Sequence, residues 1–244
     1  MKNKTFDVIT FGNAIVDIIN PTEYDFLKKN SLVPGSMNLV SQDEAKNLLL
    51  QCEPKEIISG GSAANTAVGI ASFGGNPAFI GKVKNDKFGK IFADSLNSSG
   101  VTFKSLKSSE GPPTATSLIS VTPDGERTMC TYLGACLELA EHDIDEKIII
   151  DSKICYVEGY LWDPPEAKKA LRKAINICKK NNILVAFTLS DSFCVNRFRG
   201  EFIELIKNDI DILFCNEDEI KALYNSKDIN NSIINVIKYC KILV

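Results

Sequence analysis

Apolar positions along this chain fall into two arrangements. Short runs without alternation, FDVITFG, PAFIGKV, KICYVEG, ILVAFTLS and DILFCN, are rich in β-branched and aromatic residues and end in turn residues. Such runs predict strands buried on both faces, the pattern of a parallel sheet. Between them lie stretches with helical spacing. One opens at Ser62 or Ala63, runs to about Phe73 and stops at Gly74-Gly75. A second is capped by Asp86 and keeps Phe88, Ile91, Phe92 and Leu96 on one face until Gly100. A third starts at Pro165 and reaches about Lys180, with Ala167, Ala170, Leu171, Ala174 and Cys178 aligned. Further helices are predicted over QDEAKNLLLQ, 199–207, EDEIKALY and about 231–240. Strand and amphipathic helix in alternation predict a doubly wound, mostly parallel α/β sheet with helices on both faces, a single domain over 1–244.

Two segments break the alternation, about 20–54 and 110–135. They hold short alternating pieces such as SMNLV, and a hairpin in which TSLISVT and RTMCTYL flank Pro123-Asp124-Gly125. Segments of that character are expected to pair into a small β-sheet covering one edge of the main domain as a lid. The last residues, KILV, read as the start of another strand, so the chain is expected to be the N-terminal portion of a longer protein.

Charge and composition narrow the function classes. The 244 residues carry a net charge of −3 with both signs interspersed, which excludes the one-signed basic stripe of a nucleic-acid binder. No apolar run reaches membrane-spanning length, and MKNKTFDVITFG is too polar for a signal peptide, so a cytoplasmic protein with no membrane partner is expected. Eight cysteines form no Cys-x-x-Cys pair, and several sit inside strand-like runs, as buried reduced thiols do. The only histidine, His142, lies in the acidic stretch ELAEHDIDE and is expected at the surface. A histidine-based zinc site or a Ser-His-Asp triad is therefore hard to assemble.

Candidate chemistry collects where strands hand over to helices. In IISGGSAAN, the glycines Gly60 and Gly61 let a ligand approach the main chain, and Ser62 and Asn65 can add side-chain hydrogen bonds beside unpaired helix N–H groups. A tight packing turn with Ser62 as N-cap explains the same residues. Asp17, in GNAIVD, is expected near the carboxyl end of the first strand, where ligands of open α/β sheets bind. A carboxylate there can accept hydrogen bonds from vicinal sugar hydroxyls, and a plain turn acid would look no different. Asn216 and Glu219, in CNEDEI, fit a helix N-cap with dipole-favoured acids; they also fit an amide and carboxylate meeting a phosphate and hydrated magnesium. Arg127 is either a solvated cation or a phosphate contact. Asp191, at the end of TLSD, is either a turn residue or a group ordering water on a metal.

Taken in order, GNAIVD, SGGSAAN, AFIGKVKNDKFGKIF, PDGERTM and NEDE resemble the ribokinase-like (PfkB) carbohydrate and nucleoside kinases from the first strand to the last residue. The adenosine-kinase-like branch is the more similar one. The resemblance implies a ribokinase-like fold with a β-sheet lid, and MgATP as cofactor. It places Asp17, Gly60, Gly61, Ser62, Asn65 and Arg127 on the acceptor, a sugar or nucleoside hydroxymethyl compound. Asn216 and Asp191 would lie at the ATP phosphates and Glu219 at the Mg2+. A lid of this kind excludes water from phosphoryl transfer, and its exposed edge can pair with a second copy as a homodimer. Family members carry a Gly-Ala-Gly-Asp motif whose Asp is the general base; the motif is not in this sequence. The base is thus expected beyond Val244, and the chain alone is expected to be inactive. A catalytically silent sugar- or nucleoside-binding domain is the second reading. A Rossmann dehydrogenase fits poorly, because no G-x-G-x-x-G follows the first strand.

Overall fold

Residues 4–105 and 107–244 are described by the computed structural model. Twelve strands and nine α-helices alternate along them. The main sheet is built from β1 (Phe6–Phe11), β5 (Pro77–Ile80), β6 (Thr102–Phe103), β9 (Ser152–Glu158), β10 (Leu184–Thr188), β11 (Ile212–Phe214) and β12 (Ile242–Leu243). These seven strands lie in the order β12-β11-β10-β9-β1-β5-β6 and every pairing is parallel. Strand order reverses at β1, between β5 and β9, so the neighbouring connections leave on opposite faces there.

The helices divide between the two faces. α3 (Ser62–Ser72) and α4 (Lys87–Ser98) bury Ala63, Ala64, Ala67, Phe92 and Leu96 in one core cluster. Its aromatic centre is Phe79, Phe92 and Phe103, with ring centroids 5.2 to 5.8 Å apart. α5 (Glu146–Ile150), α6 (Pro165–Lys180), α7 (Ser192–Asn208), α8 (Glu217–Tyr224) and α9 (Ile229–Val236) contribute to the other cluster, with Val157, Phe187, Phe202 and the buried Trp162 at its centre. α6 has the predicted bounds and buries the predicted face. Proline at its first turn costs no hydrogen bond, since that N–H has no helical partner.

The second sheet has five strands: β2 (Ile15–Pro21), β3 (Met37–Leu39), β4 (Glu56–Gly60), β7 (Ala115–Val121) and β8 (Arg127–Tyr132). Their order is β3-β8-β7-β2-β4, with parallel β2–β7 and β3–β8 pairs and antiparallel β2–β4 and β7–β8 pairs. Two of these strands border the irregular segment read from the sequence rather than lying inside it. Most of 20–54 is helical or loop, with α1 (Tyr24–Lys29) and α2 (Gln42–Leu49) in addition to β3. α2 opens on a full capping box between Ser41 and Glu44.

Register fixes what each face of this sheet carries. Asp17 pairs with Ser117 and Ile58, and Ser117 pairs with Thr131, so these side chains share one face. Val16, Ile18, Leu118 and Cys130 point the other way, into the core shared with α3 and α4. A clamp at the root of β7 ties the two sheets together. The Asp86 carboxylate accepts from Gly89 N at 2.7 Å, Thr114 Oγ1 at 2.8 Å and Thr114 N at 2.9 Å. A Cβ on Gly89 would fall 1.9 Å from the Lys84 carbonyl oxygen, which is why only glycine fits there.

All eight cysteines are free thiols, buried or half-buried. The His142 side chain is 76% exposed. Among the described residues no helix is long and apolar enough to cross a membrane.

Candidate active site

Three strand exits, of β1, β4 and β9, converge around one cluster of glycines. β1 leaves the main sheet at Gly12, where a Cβ would lie 2.5 Å from Ala63 Cβ and 2.8 Å from a Glu158 carboxylate oxygen. The chain then turns directly into β2. Asp17 is therefore the third residue of a strand in the smaller sheet, not a residue at the carboxyl end of the first strand as its sequence setting suggested. Gly60, the last residue of β4, lies under it: a Cβ there would meet the Asp17 carboxyl group at 2.1 to 2.3 Å. Gly61 caps α3 with φ of +91°, and a Cβ on it would fall 2.3 Å from the Asn13 carbonyl oxygen. The glycine pair thus serves two close approaches, one to a carboxylate and one to a backbone carbonyl.

Ser62 is the first residue of α3, not its cap. Its hydroxyl donates to the Glu158 carboxylate, at the carboxyl end of β9. Glu158 is 1% exposed, and burial pushes its pKa up to about 7, against the pull of the Ser62 bond. Burial likewise lifts Asp17 to about 6, with the Arg127 charge acting in the opposite direction. Arg127 starts β8, opposite Val121 of β7, on the Asp17 face of the smaller sheet. Ser117 and Thr131, on that same face, join hydroxyls at 2.8 Å. Toward β3 the face becomes apolar through Ile119, Met129, Met37 and Leu39, the last two exposed. Asn65 is exposed on the first turns of α3.

A second group of carboxylates stands further along the same sheet edge. Asn216 caps α8 by accepting from Glu219 N at 2.8 Å. The Glu219 carboxylate accepts in return from Asn216 N at 3.1 Å and from Asn216 Nδ2 at 2.8 Å. Glu219 is 7% exposed, and its pKa is raised by burial first, then by the charges of Asp191 and Asp218; the Asn216 amide opposes this. Asp191 caps α7 through Cys194 N at 2.6 Å. Asn216 and Glu219 thus form the helix cap that their sequence setting allowed, and Asp191, read as a turn residue or a group ordering water on a metal, is a helix cap as well; both caps coexist with a local excess of negative charge. Among the described residues no three acids, histidines or cysteines are placed to ligate one metal ion. This donor set suits a hydrated magnesium reached through water, not a dedicated all-protein cage.

Residues 28–244 match the profile described as pfkB family carbohydrate kinase. The chain belongs to the pfkB family. Among solved structures it is similar to adenosine kinase from Sinorhizobium meliloti, with 46% identity, a TM-score of 0.88, and 98% of this chain and 73% of that one covered. A probable sugar kinase from Rhizobium etli aligns with 43% identity and the same TM-score and coverage. Among curated relatives, 5-dehydro-2-deoxygluconokinase of Clostridium botulinum is 30% identical over 189 residues, 76% of this chain and 49% of its own length. Probable fructokinase-7 of Arabidopsis thaliana is 29% identical over 241 residues, 93% of this chain and 64% of its own. The chain thus spans about half to two-thirds of the length of these curated relatives.

Within the pfkB framework, Asp17, Gly60, Gly61 and Ser62 gather at the junction of the two sheets, and Asp191, Asn216 and Glu219 gather at the ends of β10 and β11; Arg127 stands apart, exposed at the far end of β8 opposite Val121, and reaches Asp17 through its charge. The motif running from Gly81 to Gly89 builds the clamp between the sheets instead of entering either group. Glu158 is the residue that sequence reading missed. It is one acid inside an apolar run, and its partner, Ser62, is 96 positions away. Tyr156, two residues before it, was also passed over; its half-buried ring meets Phe214 edge-on at 6.0 Å, between the two groups.

Proposed function

We propose that this chain binds the alcohol acceptor and the phosphate end of MgATP for phosphoryl transfer to a sugar or nucleoside hydroxymethyl group. The observation that carries the reading is the junction of the two sheets. There Asp17, raised to about 6, and Glu158, raised to about 7, flank glycines that keep the main chain open. Two desolvated carboxylates beside a backbone free of Cβ atoms suit neutral hydroxyl donors: each accepts hydrogen bonds, and neither is matched to a phosphate. In this reading Gly60, Gly61, Ser62 and Asn65 line the acceptor side, and the Arg127 charge offsets part of the burial cost on Asp17.

The phosphate side is Asn216, Asp191 and Glu219. The negative field that raises Glu219 favours a cation held through its own waters, and Mg2+ there would neutralise charge on the transferred phosphoryl group. The smaller sheet acts as the lid over the acceptor and excludes water. Its apolar reach through Ile119, Met129, Met37 and Leu39 favours a nucleoside over a free sugar, since a base offers a flat apolar surface to cover it. The S. meliloti relative, named an adenosine kinase, points the same way. The free edge at β3, with Met37 and Leu39 exposed, supports pairing with a second copy through the lid. Gly-Ala-Gly-Asp is not among the 244 residues, so binding and not turnover is the property assigned to this chain by itself.

Calorimetric titration with adenosine, ribose and fructose tests the reading. Saturable binding of adenosine, tighter than that of either sugar, is expected. Binding of none of the three contradicts an acceptor site, and a preference for fructose contradicts the nucleoside assignment.

A further inference from the structure

The carboxyl ends of β9 and β10 are fastened to each other. A Cβ on Gly159, the residue after Glu158, would lie 2.9 Å from the Leu189 carbonyl oxygen and 3.2 Å from Ser190 Oγ. The next residue, Tyr160, holds Ser190 twice. Its backbone N–H donates to Ser190 Oγ at 3.3 Å, and its phenol hydroxyl donates to the Ser190 carbonyl at 3.1 Å. Ser190 needs holding, because its φ of +74° is a left-handed conformation that a serine rarely adopts. Ser190 N donates to Thr188 Oγ1 at 3.3 Å and Ser190 Oγ to the Thr188 carbonyl at 3.4 Å, completing a tight turn. Asp191 follows directly and starts α7. Burial raises the Tyr160 hydroxyl, and the nearby Asp191 carboxylate raises it further.

We infer that Tyr160 is a positioning residue: its main chain extends the strand that carries Glu158, and its hydroxyl fixes the strained Ser190 turn that aims Asp191 at the phosphate side. The inference rests on the proposed roles of Glu158 toward the acceptor and of Asp191 and Glu219 toward MgATP. One rigid link then sets both halves of the site. Tyr160→Phe keeps the ring and the backbone bond and removes the hydroxyl, and with it the bond to the Ser190 carbonyl and the contact with Asp191.

The test compares the wild type with Tyr160→Phe in two measurements: backbone amide exchange over 190–194 in the free protein, and separate dissociation constants for MgATP and adenosine. Loss of one neutral hydrogen bond predicts roughly threefold to tenfold weaker MgATP binding. Amide exchange at Asp191 and Cys194 becomes faster, and adenosine affinity and melting temperature stay unchanged. Ser190→Gly relieves the strain and keeps the carbonyl that Tyr160 binds, but loses Ser190 Oγ and its bonds to Tyr160 N and the Thr188 carbonyl. If Tyr160→Phe fails to fold, this variant serves instead, with faster exchange at Asp191 and Cys194 expected and unchanged exchange with unchanged MgATP affinity overturning the inference. Unchanged exchange and unchanged MgATP affinity in Tyr160→Phe overturn the inference. Equal weakening of MgATP and adenosine also overturns it, since that marks a general structural role. If the wild type binds adenosine but no MgATP, the phosphate-side reading fails with the inference; if MgATP binding is intact in both proteins, only the inference fails.

Discussion

Glu158→Gln isolates the energetic cost of keeping a carboxylate inside the junction. The Glu158 pKa stands at about 7 in the folded chain against an ordinary 4.5, so the folded state holds the proton more tightly than the unfolded one. Stability is therefore greatest below the unfolded value and falls as pH rises through the folded one. A shift of that size corresponds to about 3.4 kcal/mol once Glu158 is fully ionised, at about 1.36 kcal/mol per pH unit. Between pH 5 and pH 8 the part that develops is about 2.5 kcal/mol. Glutamine keeps an oxygen to accept from Ser62 and cannot titrate. The buried NH2 it introduces costs about 1–3 kcal/mol, but at every pH alike. The informative quantity is thus the difference in slope. Asp17 and every other group titrate in both proteins and cancel. Thermal melts at half-unit steps from pH 5 to pH 8 are expected to show the wild type losing roughly 5–10 °C more than Glu158→Gln across that range. Parallel curves would refute the claim that burial is the dominant influence on Glu158.

Two further substitutions test the frame around the site. Gly61→Ala places a Cβ at a φ of +91° and 2.3 Å from the Asn13 carbonyl oxygen; a loss of about 2 kcal/mol or more is expected from the urea midpoint. A change below a few tenths of a kcal/mol would show that the β1–β2 turn can move aside. Lys82→Ala leaves the Asp143 side chain, 6% exposed, without its partner at 2.5 Å. The expected cost is about 3–5 kcal/mol in the same assay, and Asp143→Ala in the Lys82→Ala background should restore part of it.

The main sheet was legible because its strands are continuous apolar runs and its helices carry their own punctuation. Asp86 and Pro165 each mark a start locally, and the structure uses both. The smaller sheet was legible as an interruption but not in its membership. FDVITFGNAIVDII reads as one apolar run, yet the chain changes sheets at Gly12 and Asn13, and β2 is apolar on both sides except at Asp17 and Asn20. No local pattern marks such a transfer. α7 was placed late because Phe198 has non-helical φ and ψ, which divides its apolar periodicity; Asp191, read as a ligand, is also the cap that begins it. Glu158 and Tyr160 were illegible for a plainer reason. Their partners, Ser62 and Ser190, become neighbours only when parallel strands and α3 are assembled.

The account stands or falls on Asp17 as an acceptor-binding group, since register, the Gly60 close approach and the Arg127 field all meet there. The direct measurement is the adenosine dissociation constant of the 244-residue chain and of Asp17→Asn, by calorimetry at pH 8, where the wild-type carboxyl is ionised. Loss of a charged hydrogen-bond acceptor predicts at least about tenfold weaker binding, with melting temperature held or raised because a buried charge is gone. Equal affinity in the two proteins would contradict the assignment of Asp17, and with it the placement of the acceptor at the junction of the two sheets.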